Sequence, residues 1–158
     1  AGSLTKRLGI KSGEKLSRTL IEYYFKDDIL KDPLVSEEHI LTFGWANQNE
    51  LDEISSLALR INDFLVGYFS ALKIELIDFK IEFGRMYKND EMYIILADEI
   101  SPDSCRLWDF ETKKKLDKDV FRENSGYLLD GYNEVAKRMG LLTENKASKN
   151  SKPTLVKG

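Results

Sequence analysis

An α+β fold, a largely antiparallel sheet with helices packed against it, is what the sequence predicts, on three observations. Residues 76–83 alternate strictly, with Ile77, Phe79, Ile81 and Phe83 on one side and Asp78, Lys80 and Glu82 on the other, the period of a half-buried strand. Residues 51–72 instead repeat apolar side chains at every third and fourth position, the stripe of a long helix. Strand and helix patterns then alternate irregularly, with a hairpin in the middle and neither a repeat nor a linker, a pattern that suggests α+β.

Taken in order, the first ten residues are small and then basic, and Lys11-Ser12-Gly13-Glu14 reads as a turn. Residues 20–26 alternate and predict a strand with Lys26 at its exit. Residues 27–33 form an acidic loop, in which Pro33 predicts an extended Asp32. Ser36 predicts the cap of a short helix over 37–41, closed by Phe43-Gly44-Trp45. Asn47 and Glu50 stand at capping-box spacing ahead of the long helix, whose stripe is Leu51, Ile54, Leu57, Ala58, Ile61, Leu65, Phe69 and Leu72, with Glu50 on the polar side. Residues 98–106 read as a polar loop ending at Leu107-Trp108. Asp117-Lys118-Asp119 predicts a capped helical turn carrying Arg122, and residues 127–139 a final helix stopped by Gly140. Residues 143–158, rich in Lys, Ser and Asn without periodicity, predict a disordered tail.

The central hairpin carries a geometric commitment. A three-residue turn, Lys88-Asn89-Asp90, pairs Tyr87 with Glu91 and places Lys80 opposite Asp98 and Glu82 opposite Leu96. Glu82, Lys80 and Asp98 then share a face, the two acids as diagonal neighbours roughly 7–8 Å apart. A turn one residue shorter throws Asp98 to the other face.

Composition narrows the function classes. A chain of 158 residues with 42% hydrophobic and 32% charged residues can bury one proper core. A net charge of −3 argues against a general nucleic-acid binder. One cysteine, Cys105, allows no intramolecular disulfide, and with His39 as the one histidine it makes a zinc site a poor expectation. No apolar run spans a membrane and no signal-peptide pattern opens the chain, so the expected compartment is cytoplasmic. No Gly-rich phosphate loop or dinucleotide fingerprint occurs, and Cys105 has no histidine near it in sequence for nucleophilic work. A Glu and an Asp converging beside a lysine suit a Mg²⁺-nucleotide site, because Mg²⁺ takes one or two carboxylates with phosphates and water. Spacing alone favours a solvated face on which Lys80 pairs with its neighbours. Arg106 and Arg122 are candidate anion forks or plain surface charge. Lys26 can meet phosphate or pair with Asp27 and Asp28.

Several long motifs in order then resemble the phosphoribosylaminoimidazole-succinocarboxamide synthase family. They are Leu76-Ile77-Asp78-Phe79-Lys80-Ile81-Glu82-Phe83-Gly84, the run from Ala97-Asp98-Glu99 through Ser101-Pro102-Asp103-Ser104-Cys105-Arg106-Leu107-Trp108, and Leu116-Asp117-Lys118-Asp119-Val120-Phe121-Arg122. Lys26-Asp27-Asp28, Asp32-Pro33 and Thr42-Phe43-Gly44-Trp45 fit the same pattern. The resemblance implies an ATP-dependent carbon–nitrogen ligase of purine biosynthesis, joining L-aspartate to the carboxylate of carboxyaminoimidazole ribotide through an acyl phosphate, with ADP and phosphate released. It implies Mg²⁺ on Glu82 and Asp98, a nucleotide contact at Lys26, and ribotide contacts at Ser3, Lys80, Asp103, Arg106 and Arg122, the arginines and serine chiefly at its phosphate. Asp32 and Asp78 lie in the motifs without an assigned role.

The resemblance also implies an N-terminal half, a small sheet closing over ATP, ahead of the sequence in hand. Residues 1–142 are therefore expected to be the C-terminal catalytic and substrate-binding portion of a longer enzyme, commonly homo-oligomeric, and inactive alone. Lys31 stands where the family often has His, and Cys105 where a small polar residue is usual. The competing expectations are a related small-molecule kinase and a non-catalytic nucleotide- or ribotide-binding module.

Overall fold

A computed structural model of the chain describes residues 4–122 and 128–142. Within them the element order is α1 (Leu4–Leu8), β1 (Tyr23–Tyr24), β2 (Leu34–Val35), α2 (Glu37–Thr42), α3 (Gln48–Ala71), β3 (Ile74–Phe79), β4 (Phe83–Lys88), β5 (Glu91–Leu96), β6 (Cys105–Asp109), α4 (Asp119–Arg122) and α5 (Leu128–Arg138). Every strand pair is antiparallel, as the sequence predicts, but the described strands form three two-stranded ladders, β1–β2, β3–β6 and β4–β5.

The core lies where α3 and α5 meet the β3–β6 ladder. Leu65 and Phe69 of α3, Ile74 of β3, Cys105 and Leu107 of β6, Leu116, and Val135 of α5 form one buried cluster. Ile61, Leu72, Leu76 and Phe79 pack against it, so most of the lower stripe of α3 is used as predicted. Gly131 lets α5 approach the chain closely: a β-carbon there would sit 2.9 Å from the Leu116 carbonyl oxygen.

The helix ends follow the sequence signals. Ser36 caps α2 by accepting from the His39 N–H, and His39 closes the box by accepting the Ser36 N–H through Nδ1. Asn47 and Glu50 close the box that opens α3. Gly140, at φ +73, ends α5 in a Schellman motif, with Leu141 N–H on the Ala136 carbonyl and Gly140 N–H on that of Lys137.

Six expectations are corrected. The strand expected over 20–26 shrinks to Tyr23–Tyr24. The loop after it is closed by Asp32, whose Oδ1 accepts the Asp27 N–H at 2.9 Å while its own N–H returns to the Asp27 carbonyl at 3.1 Å. Those bonds hold Asp32 at φ +49, a left-handed rather than an extended conformation despite the following proline. The strand expected over 76–83 is two strands. A bulge at Ile77 lets Leu76 pair with Leu107 and Asp78 with Arg106, so Phe79 returns to the core while Ile77 is left 37% exposed. The hairpin turn has two residues, Asn89 and Asp90 at φ +50 and +65, and Lys88 pairs with Glu91. The register is therefore one residue away from the expected one. The stretch 105–109, expected at the end of a loop, is strand β6, opposite β3.

Glu50 is the sixth. Expected on the polar side of α3, it is buried and forked to Arg85 of β4, with Nε at 2.5 Å and Nη2 at 3.0 Å. Arg85 also donates to the Trp45 carbonyl at 2.8 Å, so one ion pair ties the start of α3 to the hairpin. The Arg85 guanidinium first, and then the Asn47 N–H, pull the Glu50 carboxyl down from 4.5 to about 2. A carboxyl lowered on folding stabilises above its unfolded pKa and loses that contribution as pH falls through its folded one. Urea unfolding is thus expected to show stability falling between pH 4.5 and about 2, with Glu50→Gln flattening the slope in that window. An unchanged slope would remove the ion pair from this role.

Candidate functional site

Two charged clusters sit at the two ends of one loop. The segment Lys80-Ile81-Glu82 leaves β3 and enters β4, and it is held at both ends. The Lys80 N–H donates to the Ser104 carbonyl at 2.8 Å, and the Ala97 N–H donates to the Glu82 carbonyl at 2.9 Å. The loop 97–104 thus starts beside Glu82 and finishes beside Lys80. Ser101 and Ser104 fold it on itself, with Ser101 N–H on Ser104 Oγ at 3.0 Å and Cys105 N–H on the Ser101 carbonyl at 2.9 Å.

The first cluster gathers Lys26, Lys80, Glu82 and Asp98. Glu82 accepts from Lys26 Nζ through one oxygen and pairs with Lys80 Nζ at 3.0 Å through the other. Those two lysines, Lys26 first, hold the Glu82 carboxyl below the usual range, although partial burial opposes them. Glu82 in turn raises the Lys26 ammonium. Asp98 is lowered first by hydrogen bonds to the Glu99 carboxyl and N–H, the latter at 2.9 Å, and then by the fields of Lys26 and Lys80. The two acids therefore share two lysines even though the expected register fails. Pairing ends at Leu96, and Ala97 and Asp98 turn out of the ladder as the loop begins. Asp98 does not share a strand face with Glu82, and the loop, not the ladder, brings it in.

Lys26 follows β1, and its neighbour Phe25 belongs to an aromatic stack. Phe25 lies 4.2 Å from the Trp45 ring, and Trp45 lies 5.1 Å from Phe43. The Phe25 N–H donates to the Pro33 carbonyl, which fixes the residue before Lys26.

The second cluster gathers Asp78, Arg106, Asp119 and Arg122. The bulge at Ile77 places Asp78 directly across from Arg106, and the pair closes at 2.5 Å. Arg106 Nε meets one oxygen of Asp119 at 2.6 Å, and Arg122 Nη1 meets the other at 3.0 Å. Burial pushes the Asp119 carboxyl up, but Arg106 and then Arg122 outweigh it and hold the group below its ordinary value. Asp103 accepts from the Tyr132 hydroxyl of α5 at 2.7 Å, and Asp117 and Arg122 lie in the field of that hydroxyl. Burial first, then the Asp103 bond, pushes the Tyr132 phenol well up, so it remains a donor.

Six of the seven expected site residues outside the first three positions thus fall into the two clusters, and Asp103 borders the second through Tyr132; Ser3 lies outside the described residues. Asp119, Asp117 and Tyr132 were not expected at the site. The acid pair was legible only as a helix cap, and its long-range partner on β6 leaves no local signal. Cys105 is buried and its thiol is pushed up by that burial, which suits packing rather than nucleophilic chemistry.

The donor set fits magnesium. Glu82 and Asp98 supply two hard carboxylates, the usual protein share of a Mg²⁺ site completed by phosphates and water. Among the described residues no group of three or more His, Cys, Asp or Glu forms a cage.

Known proteins resemble the chain in sequence and in fold. The family model described as SAICAR synthetase matches residues 1–139. The phosphoribosylaminoimidazole-succinocarboxamide synthase of Sinorhizobium medicae is 61% identical over 157 residues, 99% of this chain and 62% of that protein. One from Agrobacterium fabrum is 60% identical over the same shares. Among solved structures, the synthase of Ehrlichia chaffeensis aligns with a TM-score of 0.85 at 46% identity, over 91% of this chain and 61% of that one. A SAICAR synthetase solved in complex with ADP aligns at 0.81 and 45% identity, over 88% and 58%. The chain spans about 62% of the length of the curated relatives it matches.

Proposed function

The chain belongs to the SAICAR synthetase family, and from that premise we propose that residues 1–142 are the C-terminal catalytic and substrate-binding portion of an ATP-dependent ligase. The reaction joins L-aspartate to carboxyaminoimidazole ribotide in purine biosynthesis. An N-terminal half of the same protein completes the nucleotide cleft; the tail expected over residues 143–158 lies outside the described residues. The observation that carries the reading is the separation of two sites: a lysine–carboxylate cluster suited to nucleotide phosphates, and an arginine cluster suited to a substrate phosphate.

The chemistry needs no protein nucleophile. The ribotide carboxylate oxygen attacks the γ-phosphorus of ATP, and ADP leaves. The aspartate amine then attacks the acyl carbon, phosphate leaves, and the nitrogen gives up a proton. Glu82 and Asp98 are the residues that hold Mg²⁺, which when bound offsets charge on the phosphates. Lys26 and Lys80, both well exposed, can leave Glu82 for phosphate oxygens. Lys26 faces the nucleotide. Lys80, Asp103, Arg106, Arg122 and Ser3 face the ribotide, the arginines and serine at its phosphate. The ADP complex of a solved relative supports the nucleotide. Among the described residues no helix is long and apolar enough to cross a membrane. The proposed setting is the cytoplasm, as a homo-oligomer, with neither nucleic acid nor membrane as a partner.

A coupled assay of ADP release by the protein with its N-terminal half tests the reading. Release is expected to require both L-aspartate and the ribotide, and residues 1–158 alone are expected to be inactive. Release that ignores aspartate would replace the ligase by a kinase-like activity.

A further inference from the structure

We propose that Asp119 is a positioning residue that binds Arg106 and Arg122 into one anion fork; the inference rests on the ligase reading and adds a residue to it. Two guanidiniums that must meet one phosphate repel each other, and each sits on a long, rotatable side chain. Something has to hold them together before the anion arrives. Asp119 does so in a specific way, because each of its two oxygens takes one arginine, Arg106 Nε at 2.6 Å and Arg122 Nη1 at 3.0 Å. Bonds at Nε and Nη1 leave the outer Nη2 edge of Arg106 without a hydrogen bond among the described residues.

Asp119 is itself fixed from below. It is buried, and its N–H donates at 2.8 Å to Asp117, a fully buried carboxylate that also accepts the Leu107 N–H of β6 at 2.7 Å. Arg106 leaves β6 one residue before Leu107. The strand that carries one arginine and the helical turn that carries the other are thus anchored on one acid. Asp78 holds the opposite side of Arg106 from β3, but it does not reach Arg122 among the described contacts. Among the described residues, Asp119 alone joins the two.

A salt bridge that only stabilised the fold would affect all substrates alike, whereas a positioning residue affects the one whose phosphate the fork takes. Steady-state kinetics of Asp119→Asn in the complete protein separate the two. The KM for ribotide is expected to rise roughly 10- to 100-fold, with the KM values for ATP and L-aspartate within about 2-fold and kcat within about 3-fold. The corresponding riboside, which lacks the 5′-phosphate, is expected to show wild-type and variant kcat/KM within about 3-fold of each other. If Asp119→Asn does not fold, Asp119→Glu carries the test, since a carboxylate displaced by one methylene is expected to raise the ribotide KM about 3- to 10-fold with the riboside unaffected. An unchanged ribotide KM, a rise in all three KM values, or an equal loss on the riboside overturns the proposal while leaving the ligase reading in place. Wild-type ADP release that is indifferent to ribotide overturns both.

Discussion

Replacing Glu82 by Gln is expected to lower ADP release by the complete protein about 10²- to 10³-fold, with the Mg²⁺ requirement shifted to higher concentration. The size follows from what Glu82 does alone in this site. Among the described residues it is the one carboxylate bonded to both lysines, and those lysines keep it ionised. Glutamine has the same shape and can still accept one lysine through its carbonyl oxygen. Its amide nitrogen, however, faces the other lysine donor to donor, and the charge that would bind Mg²⁺ is gone. Asp98 is left as the single acid, already engaged with Glu99. The fold is expected to survive, because the lysine partners are largely exposed and such solvent-screened pairs add little to stability. Thermal unfolding checks that, and a Mg²⁺ titration of the rate checks the rest. A variant with unchanged metal dependence would remove Glu82 from the metal and with it the role given to the first cluster.

The way this site was reached shows what local sequence can and cannot carry. Capping boxes at Ser36 and Asn47, the stripe of α3 and the stop at Gly140 were legible because each is decided within a few residues of itself. The hairpin was legible as a hairpin, but its register was not. Whether Lys88 belongs to the turn or the strand changes one hydrogen-bond pair, and the side-chain pattern of 85–93 tolerates both. The bulge at Ile77 was invisible for a related reason. An isoleucine suits either face, so the period of two seemed to run on to Phe83 when it had already been broken. The convergence of Glu82 and Asp98 survived the register error because backbone bonds from Ala97 and Ser104 clamp the loop to Lys80-Ile81-Glu82. It was legible through the family motifs and not through the ladder. Asp119 and Tyr132 were illegible, since their partners lie 13 and 29 residues away.

Removing the Asp117 carboxylate tests the other half of this architecture. Asp117→Ala is expected to cost about 2–4 kcal/mol of folding stability, read as a urea midpoint about 1–2 M lower at unchanged slope. Asp117 is fully buried and accepts two backbone N–H groups, Leu107 at 2.7 Å and Asp119 at 2.8 Å. Alanine leaves both donors buried and unpaired, at about 1–3 kcal/mol each. Against that stands a gain, because a buried carboxylate is itself penalised. Burial, first among the influences on Asp117, raises its carboxyl above 3.8 even though both N–H bonds oppose the shift. The loss is expected to win, since two donors on buried residues are orphaned at once. The same shift fixes the sign of the pH dependence. A group raised on folding contributes stability that is full below its unfolded pKa and fades as pH rises through its folded one. The gap between the wild type and Asp117→Ala is therefore expected to widen as pH is lowered toward 3.8, the reverse of what the depressed Glu50 predicts for its own variant. A gap that narrows instead would mean that Asp117 is held as the anion, with its two N–H bonds outweighing burial, and the anchor beneath Asp119 would then be stronger than its burial implies.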